Sequence, residues 1–410
     1  MSLTGAIFIG LSGMDAYSNG LQVISNNVAN LDTNGYKAET VNFSDLYNGT
    51  NENGLSFQGA STDGGGEGVE MDKPITDFTQ GTLQQTGNPL DLAIQGDGFL
   101  VLQSNGQTFY ARTGSFSVAQ DGQVTLQGTP TGTTYSLMVL NSANEPTPVD
   151  INADNASAPV ATTTVTLGDN LSSQATTATV SNISVFDSEG ATQTWTVTAT
   201  PATSSSSSSS SSGDTTWDIS VTDQTGATVG TGTIEFDNGQ IVSGQSTVTI
   251  NSTPTDGSAA LDVSLDFSAV TNFAAGTTST LQTTNVNGNA AGTLSGVTVN
   301  SSGELELSYS NNTTKSLGPV AIANFQNPQL LTNIGGGIYS NSNHTQSQLF
   351  ASGSTTAGSV ESGQIESSNV NLTQEFGDLI LIQRGYQASS EVISTSNDMI
   401  QQLFGIRGQG

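Results

Sequence analysis

Two stretches with a helical spacing of apolar residues lie at opposite ends of this chain, and most of the interval between them alternates like β-strands. From Leu3 to Leu31 the apolar residues recur in steps of four and three, with serines at two of these positions. From Leu372 to Phe404 the same spacing continues for longer. Helices of about 43 and 50 Å with many glycines and serines are not stable alone in water. The sequence therefore predicts that both seams are buried, against each other or against neighbouring copies.

A cluster of asparagines follows the first helical stretch, in the segment SNNVANLDTNGYKA. Asn34-Gly35 is typical of the left-handed residue that ends a helix. Asn26, Asn27 and Asn30 precede it on adjacent turns, where their amides can donate and accept hydrogen bonds at a helix-helix contact. Capping or packing explains any one of them. Together they predict a polar interface that fixes the register of the helices.

The chain is strongly acidic, with 35 Asp and Glu against 6 Lys and Arg and a formal charge of −29. Nucleic acid and anionic membranes need a positive patch that six basic residues cannot assemble. The absence of cysteine excludes disulfides, thiolate nucleophiles and cysteine metal sites. No window approaches the roughly 18 uninterrupted apolar residues of a membrane span. We expect no nucleic-acid partner, no membrane insertion and no cleaved signal peptide, because the start lacks a basic region and a cleavage site.

The interval from Thr113 to Thr314 differs from its flanks in charge. It holds 17 acidic residues and no lysine or arginine, whereas each flank holds three basic residues. This break predicts a separate unit in the middle of the chain. Short apolar runs around Gly-Asp-Gly, Asn-Gly and Asp-Gly predict consecutive hairpins near residues 91–126. The nine serines Ser204–Ser212 interrupt two strands and predict a flexible loop, with modification of the tract as the less favoured alternative.

The residues that enzymes use are scarce. His344 is the one histidine and lies in a polar stretch, so a solvated loop position is favoured over a triad or metal site. Pairs of carboxylates leave a glycosidase open, but most of them occupy turn positions such as Asp121-Gly122. The sequence predicts a protein that is not an enzyme and that uses no cofactor and no metal.

Both ends resemble a known family. LSGMDAYSNGLQVISNNVANLDTNGYKA resembles the N-terminal signature of bacterial flagellar axial proteins, which include rod, hook and hook-associated subunits. ESSNVNLTQEFGDLILIQRGYQASSEVISTSNDMIQQLFGIRG is similar to their C-terminal helix. FTQGTLQQTGNPLDLAIQGDGFLVL, YARTGSFSVAQDGQVTL and LGPVAIANFQNPQLLTNIGGGIYSNS narrow the resemblance to the rod and hook branches. These segments lie within residues 1–130 and 316–410, and the middle of the chain matches no motif.

Chain length separates the branches, because rod proteins lack the large middle insertion that the hook branch carries. The resemblance implies an α+β, predominantly β fold in three parts. Residues 1–34 and 365–410 would form a coiled-coil-like inner helical domain, 35–148 and 285–364 a middle β-rich domain, and 149–284 an outer inserted β-rich domain.

The function implied by the resemblance is that of a non-enzymatic structural subunit. Many copies would polymerise into a curved, flexible helical tube, the universal joint of an extracellular flagellum, which transmits torque from rod to filament. Implied partners are the flagellar rod, hook cap and hook-filament junction proteins and the flagellar type III export apparatus. The alternatives are a straight distal rod subunit with an inserted domain and a secreted β-rich adhesin or hydrolase.

Two sets of residues are expected to serve this assembly. The glycine-rich stretch from Gly49 to Glu70 is predicted to let the outer layers shift relative to the inner one. Separately, screening of the acidic charge by salt or divalent cations is predicted to favour assembly. The predicted hinge comprises Gly49, Gly54, Gly59, Gly64, Gly65, Gly66 and Gly68. The predicted self-assembly interface comprises Ile7, Leu11, Met14, Leu21, Asn26, Asn27, Val28, Asn30, Leu372, Phe376, Leu379, Gln383, Tyr386, Ile393, Asn397, Ile400 and Phe404.

Overall fold

A computed structural model of the chain describes residues 3–46, 68–129, 132–202, 214–253 and 259–407. Its two α-helices are α1, Leu3–Ala29, and α2, Leu372–Arg407. Short 3₁₀ turns occur at Asn152–Asp154 and Pro328–Leu330, and strands form the rest of the regular structure. The mostly β composition with one helix at each end is thus confirmed.

The strands fall into three groups along the chain. The first group is β1 (Glu39–Thr40), β2 (Phe43–Asp45), β3 (Val69–Met71), β4 (Ile75–Thr76), β5 (Leu83–Gln85), β6 (Asp91–Gln95), β7 (Phe99–Ser104), β8 (Gln107–Ala111), β9 (Thr113–Val118), β10 (Val124–Leu126), β11 (Ser136–Leu140) and β12 (Pro146–Pro148). The second is β13 (Ala156–Ser157), β14 (Thr164–Asn170), β15 (Ala178–Phe186), β16 (Thr192–Pro201), β17 (Asp214–Thr222), β18 (Thr228–Asp237), β19 (Gln240–Ile241), β20 (Thr247–Ser252), β21 (Leu261–Thr271), β22 (Gln282–Val286) and β23 (Gly292–Val299). The third is β24 (Glu304–Tyr309), β25 (Thr314–Pro319), β26 (Ala321–Phe325), β27 (Thr332–Gly335), β28 (Ile338–Ser340), β29 (Ser347–Ala351), β30 (Ser359–Ser362) and β31 (Gln364–Glu366).

The chain divides into two compact units. One comprises Met1–Ala153, Val297–Leu307 and Lys315–Gly410, and the other comprises Asp154–Gly296 and Ser308–Thr314. The predicted division into inner, middle and outer domains is finer than this and stays a prediction.

The first unit is built around a twelve-stranded sheet with the order β27-β28-β8-β7-β11-β10-β9-β6-β30, to which β12, β26 and β29 add as branches. Aromatic side chains form much of its core. The ring of Phe99 packs edge-on against those of Phe78, Phe325 and Tyr339 at 5.3 to 6.1 Å between centroids. Such T-shaped pairs are a favourable arrangement of aromatic quadrupoles, so this cluster fixes the centre of the sheet.

Two of the three turn signals near residues 91–126 form the predicted hairpins. Asn105 and Gly106 join β7 to β8 with positive φ at both residues, as a tight hairpin requires. Strands β9 and β10 pair around Asp121-Gly122. The Gly-Asp-Gly hairpin is wrong, because β6 pairs with β9 and β30 and not with β7. The N–H of Gly98 instead donates to the carbonyl of Ala357 at 2.9 Å.

The second unit contains a nine-stranded sheet with the order β15-β16-β17-β18-β19-β21-β14-β22 and with β20 beside β21. Trp195 and Trp217 lie in its core, at 0% and 2% exposure. Strands β16 and β17 pair up to Pro201 and Trp217, so the serine tract lies between paired strands as predicted. Ser204–Ser212 themselves lie outside the described residues.

The helices α1 and α2 pack against each other in antiparallel orientation, at a face lined by small residues. A Cβ added to Gly10 would lie 2.7 Å from Cγ1 of Ile393, so the backbones approach more closely than any larger residue permits. Glycines on both helices make this contact. The facing pairs are Gly10 with Ile393, Gly13 with Ser389, Tyr17 with Gly385 and Gly20 with Ile382.

The predicted helix stop is wrong in position. Helix α1 ends at Ala29, where the N–H of Asn30 still donates to the carbonyls of Asn26 and Asn27. Gly35 does adopt a left-handed conformation, with φ of +70°, and its N–H donates to the carbonyl of Glu366 at 2.7 Å. Gly35 therefore turns the chain towards the strand that precedes α2.

Two glycines of α2 provide a matched test of the helix contact. A Cβ at Gly385 would lie 2.5 to 2.8 Å from ring carbons of Tyr17, whereas a Cβ at Gly377 would meet nothing within 4 Å. We expect Gly385→Ala to destabilise the subunit by about 1–3 kcal/mol through overpacking. Gly377→Ala should stabilise it by up to about 1 kcal/mol through helix propensity. Unfolding of both variants by denaturant, monitored by the circular dichroism of the helices, measures these changes. Equal changes in the free energy of unfolding would contradict the close contact of Gly385 with Tyr17.

Candidate functional site

A series of large apolar side chains covers the surfaces of α1 and α2 that point away from their mutual contact. Phe8 and Leu11 on α1 are 68% and 55% exposed, and Leu381 on α2 is 69% exposed. Exposed apolar surface of this extent marks a site of association. We name these residues the outer face. They are Phe8, Leu11, Leu372, Phe376, Ile380, Leu381, Tyr386, Val392, Met399, Leu403 and Phe404.

The predicted interface residues lie mostly on or beside this outer face. Exposed members are Leu11, Asn26, Leu372, Phe376, Gln383, Tyr386, Asn397 and Phe404. Half-buried members are Ile7, Met14, Leu21, Val28, Asn30, Leu379, Ile393 and Ile400. The residues that α1 buries instead are Gly10, Gly13, Ala16, Gly20, Val23 and Ile24. Most of these are too small to be recognised as an apolar seam, which is why the sequence did not indicate them.

Asn27 is the exception among the predicted interface residues, because it is 1% exposed and serves the fold of the subunit itself. Its amide nitrogen donates to the carbonyl of Glu39 at 2.9 Å and to Oε1 of Glu375 at 3.1 Å. Its oxygen accepts from the hydroxyl of Tyr36 and from the N–H of Glu39. Asn27 thus joins α1 to α2 within one subunit, as its predicted place at a helix-helix contact requires, and its hydrogen-bonding groups are occupied inside the molecule.

Tyr36 and Glu375 share this buried network. Burial raises the pKa of the Tyr36 hydroxyl to about 12, with a further contribution from the nearby carboxylates of Glu39 and Glu375. Burial also raises the pKa of the Glu375 carboxyl, and the charge of Asp378 adds to this, while the hydrogen bond from Asn27 opposes it. The network connects the end of α1 to the beginning of α2.

A buried ion cluster ties both helix ends to the first sheet. Nζ of Lys37 lies 2.7 Å from Oε1 of Glu366, and Nε of Arg112 lies 3.4 Å from Oε2, with all three side chains at most 1% exposed. Lys37 follows α1, Glu366 precedes α2, and Arg112 lies between β8 and β9. Burial lowers the pKa of Lys37, although Glu366 opposes this shift. Two cations therefore share one carboxylate in a region without solvent.

Backbone groups complete the cluster. Lys37 donates to the carbonyl of Thr79 at 2.7 Å, and Arg112 donates through Nη1 to the carbonyl of Gly98 at 2.6 Å. Glu366 also accepts from the N–H of Gly81 at 2.7 Å. These bonds satisfy the ammonium of Lys37 and Oε1 of Glu366, whereas Nε and Nη2 of Arg112 and Oε2 of Glu366 are buried without a hydrogen bond.

The predicted hinge is mostly beyond the described residues. This holds for Gly49, Gly54, Gly59, Gly64, Gly65 and Gly66. Gly68 is described and is not a free joint, because its φ is +122° and an added Cβ would lie 2.1 Å from Oγ of Ser12. Strands β2 and β3 pair around this stretch, with Asp45 opposite Val69. The segment between these two strands lies outside the described residues, so its role as a hinge stays a prediction.

Few groups in the described part of the chain suit catalysis or metal binding. His344 lies exposed in a turn with φ of +49°. Among the described residues, no three histidines or carboxylates lie close enough together to hold a metal ion. The described helices also contain no stretch that is both long and apolar enough to cross a membrane.

The ion cluster predicts unequal effects of removing its members. Glu366→Gln leaves Lys37 and Arg112 buried without a counter-charge, and we expect a loss of about 3–5 kcal/mol in the free energy of unfolding. Lys37→Met leaves one cation, Arg112, with one carboxylate, so the free energy of unfolding should fall clearly less than in Glu366→Gln. Chemical denaturation at neutral pH measures both. Equal losses would show that the carboxylate does not neutralise two cations.

The raised pKa of Tyr36 predicts a pH dependence of stability. The unfolded phenol loses its proton near pH 10.0, whereas the folded one keeps it to about pH 12. The stabilising contribution is therefore complete below pH 10 and is lost as the pH rises towards 12. Unfolding free energies over this range should fall less steeply in Tyr36→Phe than in the unaltered chain. Tyr386→Phe, at an exposed position of α2, is the control and should keep the original slope.

Comparison with known proteins finds related sequences along the whole chain. A family model described as "Flagella basal body rod protein" matches residues 7–37, which include most of α1 and the eight residues that follow it. The "Flagellar hook protein FlgE/F/G D1 domain" matches residues 93–168. The "Flagellar basal body rod FlgEFG protein C-terminal" family matches residues 361–406, which include most of α2.

Curated relatives extend over nearly the full length. Flagellar hook protein FlgE of Salmonella typhimurium is 29% identical, covering 97% of this chain and 98% of that protein. FlgE of Rhizobium meliloti is also 29% identical, covering 99% of this chain and 100% of the relative. The solved structure of Helicobacter pylori FlgE2 aligns with a TM-score of 0.47 and 13% identity, over 69% of this chain and 99% of that one.

Three family models thus match in the order N-terminal helix, β-rich body and C-terminal helix. The two relatives match over 97% and 99% of this chain and over 98% and 100% of their own length. Over almost its full length the chain is therefore similar to flagellar hook proteins FlgE.

Proposed function

We propose that this chain is the structural subunit of a bacterial flagellar hook, which polymerises into a curved tube and transmits torque from rod to filament. The observation that carries this proposal is the outer face of α1 and α2. It is a long apolar surface in a chain whose relatives over its full length are hook proteins. The same relatives favour a hook over a rod subunit with an inserted domain.

Apolar side chains of the outer face are exposed to water in the isolated subunit, which is unfavourable. Burial of apolar surface contributes roughly 25 cal/mol per Å². Phe8, Leu381 and Phe404 are 68%, 69% and 68% exposed. The free energy of burying these side chains is gained only if another molecule covers them. The intramolecular face of the helices is already occupied by their mutual contact. Neighbouring copies of the same chain are therefore the proposed cover.

A tube requires that the contacts between identical copies do not close into a small ring. Heterologous contacts, in which two different surfaces of the subunit meet, generate open helical polymers when the rotation does not close. Two helices with apolar side chains around much of their circumference supply different surfaces for different neighbours. The inner layer of the tube would be formed by residues 1–34 and 365–410.

The remaining parts of the proposal are supported by the similarity to flagellar hook proteins. Residues 35–148 with 285–364 would form a middle layer and 149–284 an outermost one. The rod, the hook cap, the hook-filament junction proteins and the type III export apparatus are the proposed partners. The proposed location is the flagellum outside the cell. The net charge of −29 favours assembly at ionic strengths that screen repulsion between copies.

Substitutions on the outer face separate assembly from folding. Leu11→Ser and Phe376→Ser remove apolar side chains that are 55% and 50% exposed, so the isolated subunit should keep its helix content. Together they should raise the concentration needed for polymerisation by about tenfold or more, since about 1.4 kcal/mol corresponds to a factor of ten. Sedimentation at rising salt and negative-stain electron microscopy measure polymer yield and curvature.

The control for this experiment is Gln22→Ser, an exposed polar position of α1 outside the predicted seam. It should polymerise like the unaltered chain. A chain lacking residues 1–34 and 365–410 should form no tubes. Tubes of unchanged yield from the double variant would contradict the role of the outer face.

A further inference from the structure

A cleft of about 380 Å³ opens where α1, α2 and the segment after α1 meet. Its apolar wall includes Phe43, Leu381 and Ile382. Phe43 and Leu381 are 38% and 69% exposed, so this wall is partly uncovered in the isolated subunit. The cleft is a concave apolar surface beside the outer face.

Four carboxylates line the same cleft, from Glu39, Asp77, Glu375 and Asp378. Asp77 accepts hydrogen bonds from the backbone and hydroxyl of Thr79, and Glu375 accepts one from Asn27. Neither Glu39 nor Asp378 forms an ion pair within the described ranges of the chain. The cleft therefore combines an apolar wall with negative charge that the subunit leaves largely uncompensated.

The nearest cation is already engaged. Lys37 is close enough to Asp77 for that carboxylate to act on its pKa, but its ammonium bonds Glu366 and the carbonyl of Thr79. The raised pKa of Glu375, due to burial and to Asp378, fits a cleft that lacks a counter-charge. A cation from outside the subunit would be bound here more strongly than on open surface, because the wall excludes water.

An arginine side chain has the chemistry that this cleft requires. Its methylene stem packs on apolar surface, and its planar guanidinium binds two carboxylates at once. Among the six basic residues of the chain, Lys37 and Arg112 are buried, whereas Arg384 is exposed on α2. Arg384 forms no ion pair within the part of the chain that the structure describes.

Arg384 points away from the carboxylates that α2 of its own chain places in the cleft. It follows Glu375 by nine residues and Asp378 by six, so its side chain lies about 180° and 120° from theirs around α2 at 100° per residue. In the described structure it forms no ion pair with either of them. A contact between Arg384 and these carboxylates is therefore assigned to two copies, and because it uses two different surfaces it repeats along a polymer.

We propose that Arg384 of one copy binds in the acidic cleft of a neighbouring copy, between the carboxylates of Glu39, Glu375 and Asp378. This inference rests on the proposed polymerisation and adds the contact that fixes the relative position of two copies. For parallel copies, the offset from Arg384 to Asp378 and Glu375 is six to nine residues. It corresponds to an axial displacement of about 9–14 Å at 1.5 Å per residue.

Charge reversal at both partners tests the contact. Arg384→Glu and Asp378→Arg each place like charges together, and each should raise the critical concentration for polymerisation by about tenfold or more. The double variant Arg384→Glu with Asp378→Arg exchanges the charges and should return the critical concentration close to that of the unaltered chain. Both positions are exposed, so helix content measured by circular dichroism should be unchanged in all three.

Matched controls separate this contact from net charge. Lys73→Glu makes the same charge change as Arg384→Glu at another exposed residue, and Glu391→Arg makes the same change as Asp378→Arg elsewhere on α2. Both should polymerise normally. Losses in the controls equal to those in the test variants, or a double variant that stays impaired, would overturn the proposed contact.

The outcomes also distinguish this inference from the proposed function. Tubes from the unaltered chain and from Arg384→Glu at the same critical concentration would overturn the contact and leave polymerisation standing. Failure of the unaltered chain to form tubes at any ionic strength would overturn the proposed function and the contact together.

Discussion

The pairing of Lys37 and Arg112 with the single carboxylate of Glu366 is the interaction on which the rest of the first unit depends. These residues come from the segment after α1, the first sheet and the strand before α2, which are distant in sequence. The geometry leaves one excess positive charge among buried groups, so it persists only while the surrounding backbone carbonyls stay in place. The C-terminal end of α1 and the N-terminal end of α2 are therefore fixed to the sheet.

From these fixed points, residue size decides which face of each helix turns inwards. Glycines allow the helices to approach closely, and the larger apolar residues then point outwards. This inverts the usual arrangement of an amphipathic helix, in which the large apolar residues cover the core of the same molecule. The two helices thus meet through small residues, while the large apolar side chains of the outer face stay exposed in the isolated subunit.

The sequence predicts those parts of the fold that depend on local periodicity. The helices and the hairpin at Asn105-Gly106 follow from helical spacing and turn chemistry, and β16 and β17 pair as expected around the serines. The inward face of α1, the burial of Asn27 and the pairing of β6 with β30 depend on contacts between distant residues. Single-sequence patterns do not contain such contacts. Lys37, Arg112 and Glu366 are separated by up to 329 positions, and only folding reveals that they meet.

The pairing of Asp45 with Val69 has a consequence for how this chain can vary. The strands β2 and β3 and the contact of Gly68 with Ser12 hold the two ends of the intervening segment together. Asp45 and Val69 therefore stay adjacent on paired strands, and Gly68 and Val69 stay against Ser12 of α1, at a separation of more than twenty positions in sequence. A related chain that differed in length between these two positions would keep the same contacts between this strand pair and α1.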